Sequence, residues 1–299
     1  MYELIIIGAG PCGITASVYA ARKRINFLLI SSDIGGQAAW SGDIENYTGY
    51  QFITGPELAK KLEEHIKQYN IPIKEGETVT NILSDNRFFT VETDQSSYTA
   101  KAVIIASGKR SRELNIPGET EFKNKGVSYC ATCDGPLFAQ KDIAIIGAGN
   151  SAFEAAIQLE KIANKIFLIN LTSNPIADKI LQEKASLNKK LTIFNEAKPI
   201  EISGEKFVSS IKINHQGREK ILPVSGIFVE IGLIPNTNFS KNTKKNDRSE
   251  IIVDSHNQTN IPGIFAAGDV TDVKEKQIII AAGEGAKATL SVFDYLTRL

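Results

Sequence analysis

Cys130-Ala131-Thr132-Cys133-Asp134-Gly135 sets two thiols two residues apart with a carboxylate directly behind them. Such a pair closes a small disulfide that opens and re-forms readily. One thiol then attacks a partner's disulfide while the other resolves the mixed intermediate. Zinc would ask for four ligands. The chain has three cysteines and three histidines, with Cys12 remote in a glycine loop and His65, His215 and His256 scattered, so no metal site is expected. A bare C-x-x-C also describes two neighbouring free thiols, and the sequence on both sides of this one is what favours redox chemistry.

Upstream, the apolar run Leu4-Ile5-Ile6-Ile7 leads into Gly8-Ala9-Gly10-Pro11-Cys12-Gly13, a helical stretch over residues 14–24 and a second strand over residues 27–30. Strand, glycine turn, helix and strand in that order form a dinucleotide fingerprint. Gly8 permits the turn, Gly10 lets a pyrophosphate approach the backbone, and Gly13 lets the helix sit close on the strand. The unpaired N–H groups of the helix start stabilise the phosphate charge. Ser31, Ser32 and Asp33 occupy the place where an acid usually meets the ribose, and Asp33 serves equally well as a turn residue.

Downstream of the dithiol the pattern returns. Asp142-Ile143-Ala144-Ile145-Ile146 runs into Gly147-Ala148-Gly149-Asn150-Ser151-Ala152, a helix over residues 153–162 and a strand over residues 166–169. Residues 143–169 lie over residues 4–30 without a gap, a single duplication of a mononucleotide-binding unit. Two cradles imply two nucleotide ligands. Beyond the second strand stands Asn170-Leu171-Thr172-Ser173-Asn174-Pro175-Ile176, with no arginine cluster to select a 2′-phosphate. Asn170 is placed to hydrogen-bond a ribose hydroxyl or simply to start a loop.

The elements around these motifs belong to an ordinary globular protein. The 299 residues suggest about two domains, and 42% hydrophobic content supplies real cores. Lysine plus arginine equals aspartate plus glutamate at 34 each, which gives no bias toward nucleic acid or an anionic membrane. No apolar run reaches membrane-spanning length, and a strand begins at Tyr2 with no signal peptide ahead of it. Sparse cysteine fits a reducing compartment, so a cytoplasmic location is expected. Thr54-Gly55-Pro56-Glu57 starts a capped helix whose Leu58, Leu62 and Ile66 face the core, and Trp40 is read as packing. Residues 71–105 and 191–229 alternate as strands, with Gln216-Gly217 as a hairpin turn, and residues 240–249 read as a flexible polar stretch. Asp269 ends a strand where it either holds a ligand hydroxyl or caps a helix.

With these motifs in order, the chain resembles the low-molecular-weight thioredoxin reductases along essentially its whole length. These are FAD-dependent pyridine nucleotide-disulfide oxidoreductases. The second half is especially similar to the flavoprotein subunit of bacterial alkyl hydroperoxide reductase. The resemblance rests on Gly8-Ala9-Gly10-Pro11, Gly35-Gly36-Gln37, Glu45-Asn46, the dithiol motif continued by Pro136-Leu137-Phe138, the second glycine turn, Ala266-Ala267-Gly268-Asp269 and Gln277-Ile278-Ile279-Ile280-Ala281-Ala282-Gly283-Glu284-Gly285-Ala286. It implies an α/β fold of two Rossmann-like nucleotide-binding domains, the second inserted into the first. The FAD domain would comprise 1–113 and 245–299, and the pyridine-nucleotide domain with the dithiol 114–244.

The resemblance further implies that hydride passes from NADH or NADPH to FAD, that the flavin reduces the disulfide, and that the nucleotide domain rotates to expose the dithiol. Cys133 would face the flavin, Cys130 would be the interchange thiol and Asp134 the acid/base. FAD would meet Gly8, Gly10, Pro11, Cys12, Gly13, Ser31, Gly35, Gly36, Gln37, Asn46, Val79, Ala106, Gly108, Gly268, Asp269, Lys276, Gln277 and Ile278. The nicotinamide nucleotide would meet Gly147, Gly149, Asn150, Ser151 and Asn170. A homodimer is implied.

Two departures bear on the donor and the acceptor. Thioredoxin reductases carry His-Arg-Arg and a later arginine for NADPH where this chain has Asn170, Leu171, Thr172 and Ile176. The NADH-using peroxide-reductase relative has an acid at the place of Asn170. It also has an N-terminal thioredoxin-like module not found here, so a separate thioredoxin-, glutaredoxin- or peroxiredoxin-system protein is the expected acceptor. NADH is the favoured donor. The alternatives are a degenerate nicotinamide site fed by another donor such as ferredoxin, and a redox-sensing flavoprotein.

Overall fold

The computed structural model describes residues 1–299 except Ser41, Gly42, Glu45, Asn86, Arg87 and Cys130, and for Trp40, Asp43, Thr132 and Cys133 it describes the backbone alone. The expectations for Glu45, for Cys130 and for the side chains of Trp40 and Cys133 therefore lie outside the described residues. Two compact units form, Met1–Arg110 with Ile234–Leu299, and Ser111–Leu233. The changeovers thus fall at 110/111 and 233/234 rather than near 113 and 245. The second differs more because Phe239 is buried in the first unit's core, which draws the preceding segment into that unit.

The first unit is built on a sheet in which Tyr2–Ala9 lies between Phe27–Ile34 and Ser97–Ile105, parallel to both. Ile264–Ala266 also runs parallel to Ser97–Ile105, and antiparallel Phe88–Thr93 and Val79–Asp85 extend the sheet. Leu4, Ile5, Ile6 and Ile7 are all buried because helices or loops cover both faces, which explains the unbroken apolar run. One face receives the helices Pro11–Arg22 and Ile278–Leu296. These approach so closely that a Cβ on Gly285 would stand 2.1 Å from the Cys12 carbonyl oxygen. The helix Gly55–Gln68 starts on the expected capping box, with Glu57 N–H donating to Thr54 Oγ1 at 3.4 Å and Thr54 N–H to Glu57 Oε2 at 3.0 Å.

The second unit repeats the plan. A parallel sheet runs Val127–Ser128, Gly226–Val229, Asp142–Ile146, Lys165–Ile169, Leu191–Phe194, and an antiparallel set Ala197–Gly204, Val208–His215, Arg218–Pro223 packs beside it. Gln216 and Gly217 both take positive φ, 52° and 79°, as the predicted hairpin needs. The duplication holds at the level of pairing: Leu4 lies opposite Phe27 and Ile7 opposite Ile30, while Ile143 lies opposite Ile166 and Ile146 opposite Ile169.

Two local expectations change. The second strand continues to Ile34, so Asp33 is a strand residue and not a turn residue. Residues 240–249 are bonded internally: Ser240 and Thr243 are buried and joined at 2.7 Å, and Asn246 donates to Glu250 at 2.8 Å. Polar composition there serves a satisfied loop.

Candidate active site: a nucleotide cleft and a dithiol turn

In the first unit the glycine turn opens onto a cleft of about 760 Å³, within the range of small-molecule sites. Gly8 adopts φ +105°, and a Cβ there would stand 2.4 Å from the Ala106 carbonyl oxygen. Gly13 is needed for a different reason, since its Cβ would lie 1.7 Å from the Gly8 oxygen. Gly10 is open, with nothing nearer to a Cβ than Gly36 Cα at 4.0 Å. The helix that starts at Pro11 has no side-chain cap, leaving its first N–H groups for an anion in the cleft.

Most of the residues expected to meet FAD converge here. Gly8, Gly10, Pro11, Cys12, Ser31 and Gly36 line the inner wall, with Gln37, Asn46, Val79, Ala106 and Gly108 around them. Asp269, Lys276, Gln277 and Ile278 arrive from the far end of the chain. Asn46 Nδ2 donates to Gln277 Oε1 at 3.0 Å across 231 residues of sequence. Gly13, Gly35 and Gly268 stand behind the lining: Cβ atoms on the last two would press on Ala59 at 2.7 Å and Cys12 at 3.0 Å. Ser31 is buried, accepts from Ala9 N–H at 3.0 Å and donates to the Asp33 carbonyl at 2.6 Å, so it shapes the wall. Cys12 is sealed against Gly268, and burial with the nearby carboxylates Glu284 and Asp269 pushes its thiol well up.

One cluster had no sequence signal. Lys109 and Lys276, both lining the cleft, converge on Glu250 Oε1 at 2.9 and 3.4 Å. Burial alone would raise the Glu250 carboxyl, yet hydrogen bonds from Asn246 and Lys109 and the charge of Lys276 hold it at about 2. Burial lowers Lys276 and raises Asp269. Asn236 reads in sequence only as a loop residue. It exchanges hydrogen bonds with Ser107, Nδ2 to carbonyl at 2.8 Å and Ser107 Oγ to the Asn236 carbonyl at 2.7 Å, and lines the same cleft.

In the second unit the short helix Ala131–Asp134 and the 3-10 turn Gly135–Phe138 carry the dithiol motif from Ala131 onward. A Cβ on Gly135 would meet Leu159 at 2.6 Å, so the glycine lets this turn close onto the helix Asn150–Leu159 that follows the second cradle. Phe138 stands edge-on to buried Phe228 at 5.3 Å and anchors the far end. Ahead of the motif, the Tyr129 hydroxyl donates to buried Glu119 at 2.8 Å, and Glu119 accepts from the Leu114 and Asn115 N–H groups at 2.7 and 2.6 Å. Asp134 is half-buried and makes no capping bond to the turn behind it.

Gly147 requires φ +134°, with a Cβ 2.1 Å from the Glu230 carbonyl, and Gly149 is open. Ser151 is exposed at the start of the helix. Asn150 is committed elsewhere, exchanging two bonds of 2.9 Å with Asp178. Asn170 is 3% exposed. Its amide donates to Asn195 at 2.9 Å and accepts from the Thr172 N–H and hydroxyl at 3.0 and 2.8 Å. It organises the loop more than it offers itself to a ribose.

The pyridine nucleotide-disulphide oxidoreductase family model matches residues 2–285. The chain belongs to this family. Among relatives, an alkyl hydroperoxide reductase subunit of Staphylococcus aureus is 44% identical over 99% of this chain and 59% of that protein. An NADH dehydrogenase of Ferdinandcohnia aciditolerans is 41% identical over 99% of this chain and 58% of that protein. The chain thus spans less than two thirds of both. Thioredoxin reductase of Lactococcus lactis superposes with a TM-score of 0.88 at 36% identity, covering 100% of each chain. Among the described residues, no helix of this oxidoreductase is long and apolar enough to cross a membrane. Its first cleft fits FAD by the open Gly10, the uncapped helix start and the inward Asp269. Bound there, FAD would supply two-electron redox chemistry.

Proposed function

We propose that this oxidoreductase passes electrons from NADH, by way of FAD and the Cys130/Cys133 disulfide, to a thioredoxin-, glutaredoxin- or peroxiredoxin-system protein. The donor preference is carried by the loop after the second cradle. Residues 170–176 contain no cation, and the backbone N–H of Glu196 is bonded to the Thr172 carbonyl at 3.0 Å, placing an acidic residue beside that loop. A 2′-phosphate has no counter-charge on this loop, whereas a free ribose needs none. The names of the 44% and 41% relatives support a peroxide-linked acceptor and NADH, and the L. lactis structure supports a thioredoxin-like acceptor.

On this reading Gly10 and the helix start at Pro11 hold the FAD pyrophosphate, Asp269 binds a ligand hydroxyl, and Gly147, Gly149 and Ser151 receive the second nucleotide. Cys130 attacks the acceptor disulfide, Cys133 resolves the mixed disulfide, and Asp134 moves the proton. A homodimer in the cytoplasm belongs to the same reading.

Anaerobic titration of the yellow protein tests the donor. NADH should bleach the flavin at far lower concentration than NADPH. Bleaching by neither would leave the second cradle without a donor role and favour a ferredoxin-type source. Cys130→Ser should abolish disulfide reduction while flavin content stays unchanged, and unchanged reductase activity would sink the dithiol assignment.

A further inference from the structure

The sheet of the first unit divides the charges that line its cleft. Asp33 lies in Phe27–Ile34 and Glu77 follows Ile73–Glu75, both on one side of the central strand Tyr2–Ala9. Lys109 and Asp269 follow Ser97–Ile105 and Ile264–Ala266 on the other side, and Lys276 joins Lys109 through Glu250. In a dinucleotide fold the end of the second strand meets the adenosine ribose, which leaves the Lys109 side for the rest of the ligand. The Lys109 and Lys276 side chains are 13% and 23% exposed, and both ammonium groups lie on one oxygen of Glu250 at 2.9 and 3.4 Å. The other oxygen takes the Asn246 amide at 2.8 Å, and Lys276 also donates to the Thr271 carbonyl. Lys109 has Glu250 as its one described acceptor, so it keeps N–H groups for the cleft. Two lysines thus stand against two carboxylates, Glu250 and Asp269. Arg110 lines the cleft as well, but it is exposed and solvent screens its charge.

We propose that Lys109 sets the charge of this wall: clamped with Lys276 on Glu250, it offsets Asp269, so the cleft accepts the negative charge that a flavin gains on reduction. This rests on FAD occupying the first cleft, as proposed above. Burial raises the Asp269 carboxyl, and both ammonium groups pull against that rise, so the four charges act on one another. Glu250 is needed because two lysines this close repel each other without a shared counter-charge. Hydride transfer breaks a C–H bond of the nicotinamide, which leaves oxidised, and forms an N–H bond on the flavin. The flavin keeps both electrons and one added negative charge. An uncompensated Asp269 would oppose that charge in a site where water screens little. The FAD pyrophosphate carries the same charge in both redox states, so its attraction to the lysines cancels from the reduction potential. What remains in the potential is the wall's effect on the charge gained.

The test is the flavin midpoint potential, measured by equilibration with reference dyes in the flavin-loaded full chain. Cys130→Ser and Cys133→Ser are present throughout, so that the flavin alone takes up electrons. Lys109→Met should lower the ratio of reduced to oxidised flavin about tenfold, a shift of about 30 mV to lower potential. Lys109→Arg should hold the value of the parent. Glu250→Gln leaves both lysines and should shift the potential upward by a similar amount, and Lys109→Met with Glu250→Gln should return it close to the parent. An ion pair that only supports the fold predicts no such cancellation. Equal potentials for the parent and Lys109→Met overturn the proposal, as do shifts of the same sign for Lys109→Met and Glu250→Gln. If Glu250→Gln does not fold, Lys109→Met against Lys109→Arg decides alone. A parent that purifies without flavin and binds no added FAD sinks the reading of the cleft, and this proposal with it. A flavin-loaded Lys109→Met at the parent's potential sinks the proposal only.

Discussion

In the first unit the glycine turn faces a cleft, and the position behind it is an alanine, Ala106; in the second, the equivalent turn is backed by Glu230 and shares its helix with the dithiol turn. Strand pairing is the same in both. The third position of the fingerprint differs as well. A Cβ at Gly13 would strike the Gly8 oxygen at 1.7 Å, whereas Ala152 is accommodated with its Cβ 3.3 Å from where one on Gly147 would be. Residues past the second strand also diverge: Ser31 braces the cleft wall, and Asn170 braces its own loop through Thr172 and Asn195. One backbone plan thus serves two ligands, and the residues behind and beyond the turn set which.

The sharpest way to break this comparison is to exchange the third positions. Gly13→Ala should cost upward of about 3 kcal/mol through overpacking and yield protein without flavin. Ala152→Gly should cost only about 1 kcal/mol from helix propensity and keep its flavin. Flavin-to-protein absorbance and urea unfolding check both. Equal effects would mean that the two helices do not sit differently on their strands.

Two carboxyl groups, buried Glu250 and half-buried Glu230, give a smaller, pH-dependent contrast. Glu250 ionises at about 2 when folded against 4.5 in the unfolded chain, so its stabilisation is present above 4.5 and lost as pH falls toward 2. Glu230 has the opposite sign: its proton is held to about 7 when folded, so stability is greatest below 4.5 and declines as pH rises through 7. Glu250→Gln should destabilise the first unit by on the order of 3 kcal/mol at neutral pH, because two lysines lose their counter-charge. Glu230→Gln should flatten the decline in the second. Hydrogen exchange resolved by segment reads the two separately.

The smallest contrast lies between Ser31→Ala and Asn170→Ala. Each should cost about 1–2 kcal/mol from lost hydrogen bonds. The first should weaken flavin retention and leave nicotinamide binding alone, and the second should do the reverse.

The apolar strands, both glycine turns, the capping box at Thr54 and the duplication were all legible in sequence, because each is a local pattern with one physical reading. The strand running on through Asp33 was not, since Ser-Ser-Asp suits a turn equally well until Ser31 finds the Ala9 N–H. Asn150 and Asn170 fell at ligand positions of the motif, but Asp178 and Asn195 take up their amides. Lys109 and Glu250 are separated by 141 residues, and no spacing rule connects them.

By itself the sequence determined that this protein has two dinucleotide cradles and a C-x-x-C, since glycine turns, buried parallel strands and thiol pairs are encoded by neighbours in the chain. Tertiary structure alone decided that Lys109, Glu250 and Lys276 form one charged wall, and that Glu230 stands behind the Gly147 turn. Both depend on burial and on charges brought close by folding. Burial and proximity set the cost of a charge and the ease of a proton's movement, and neither is a property of residues read in order.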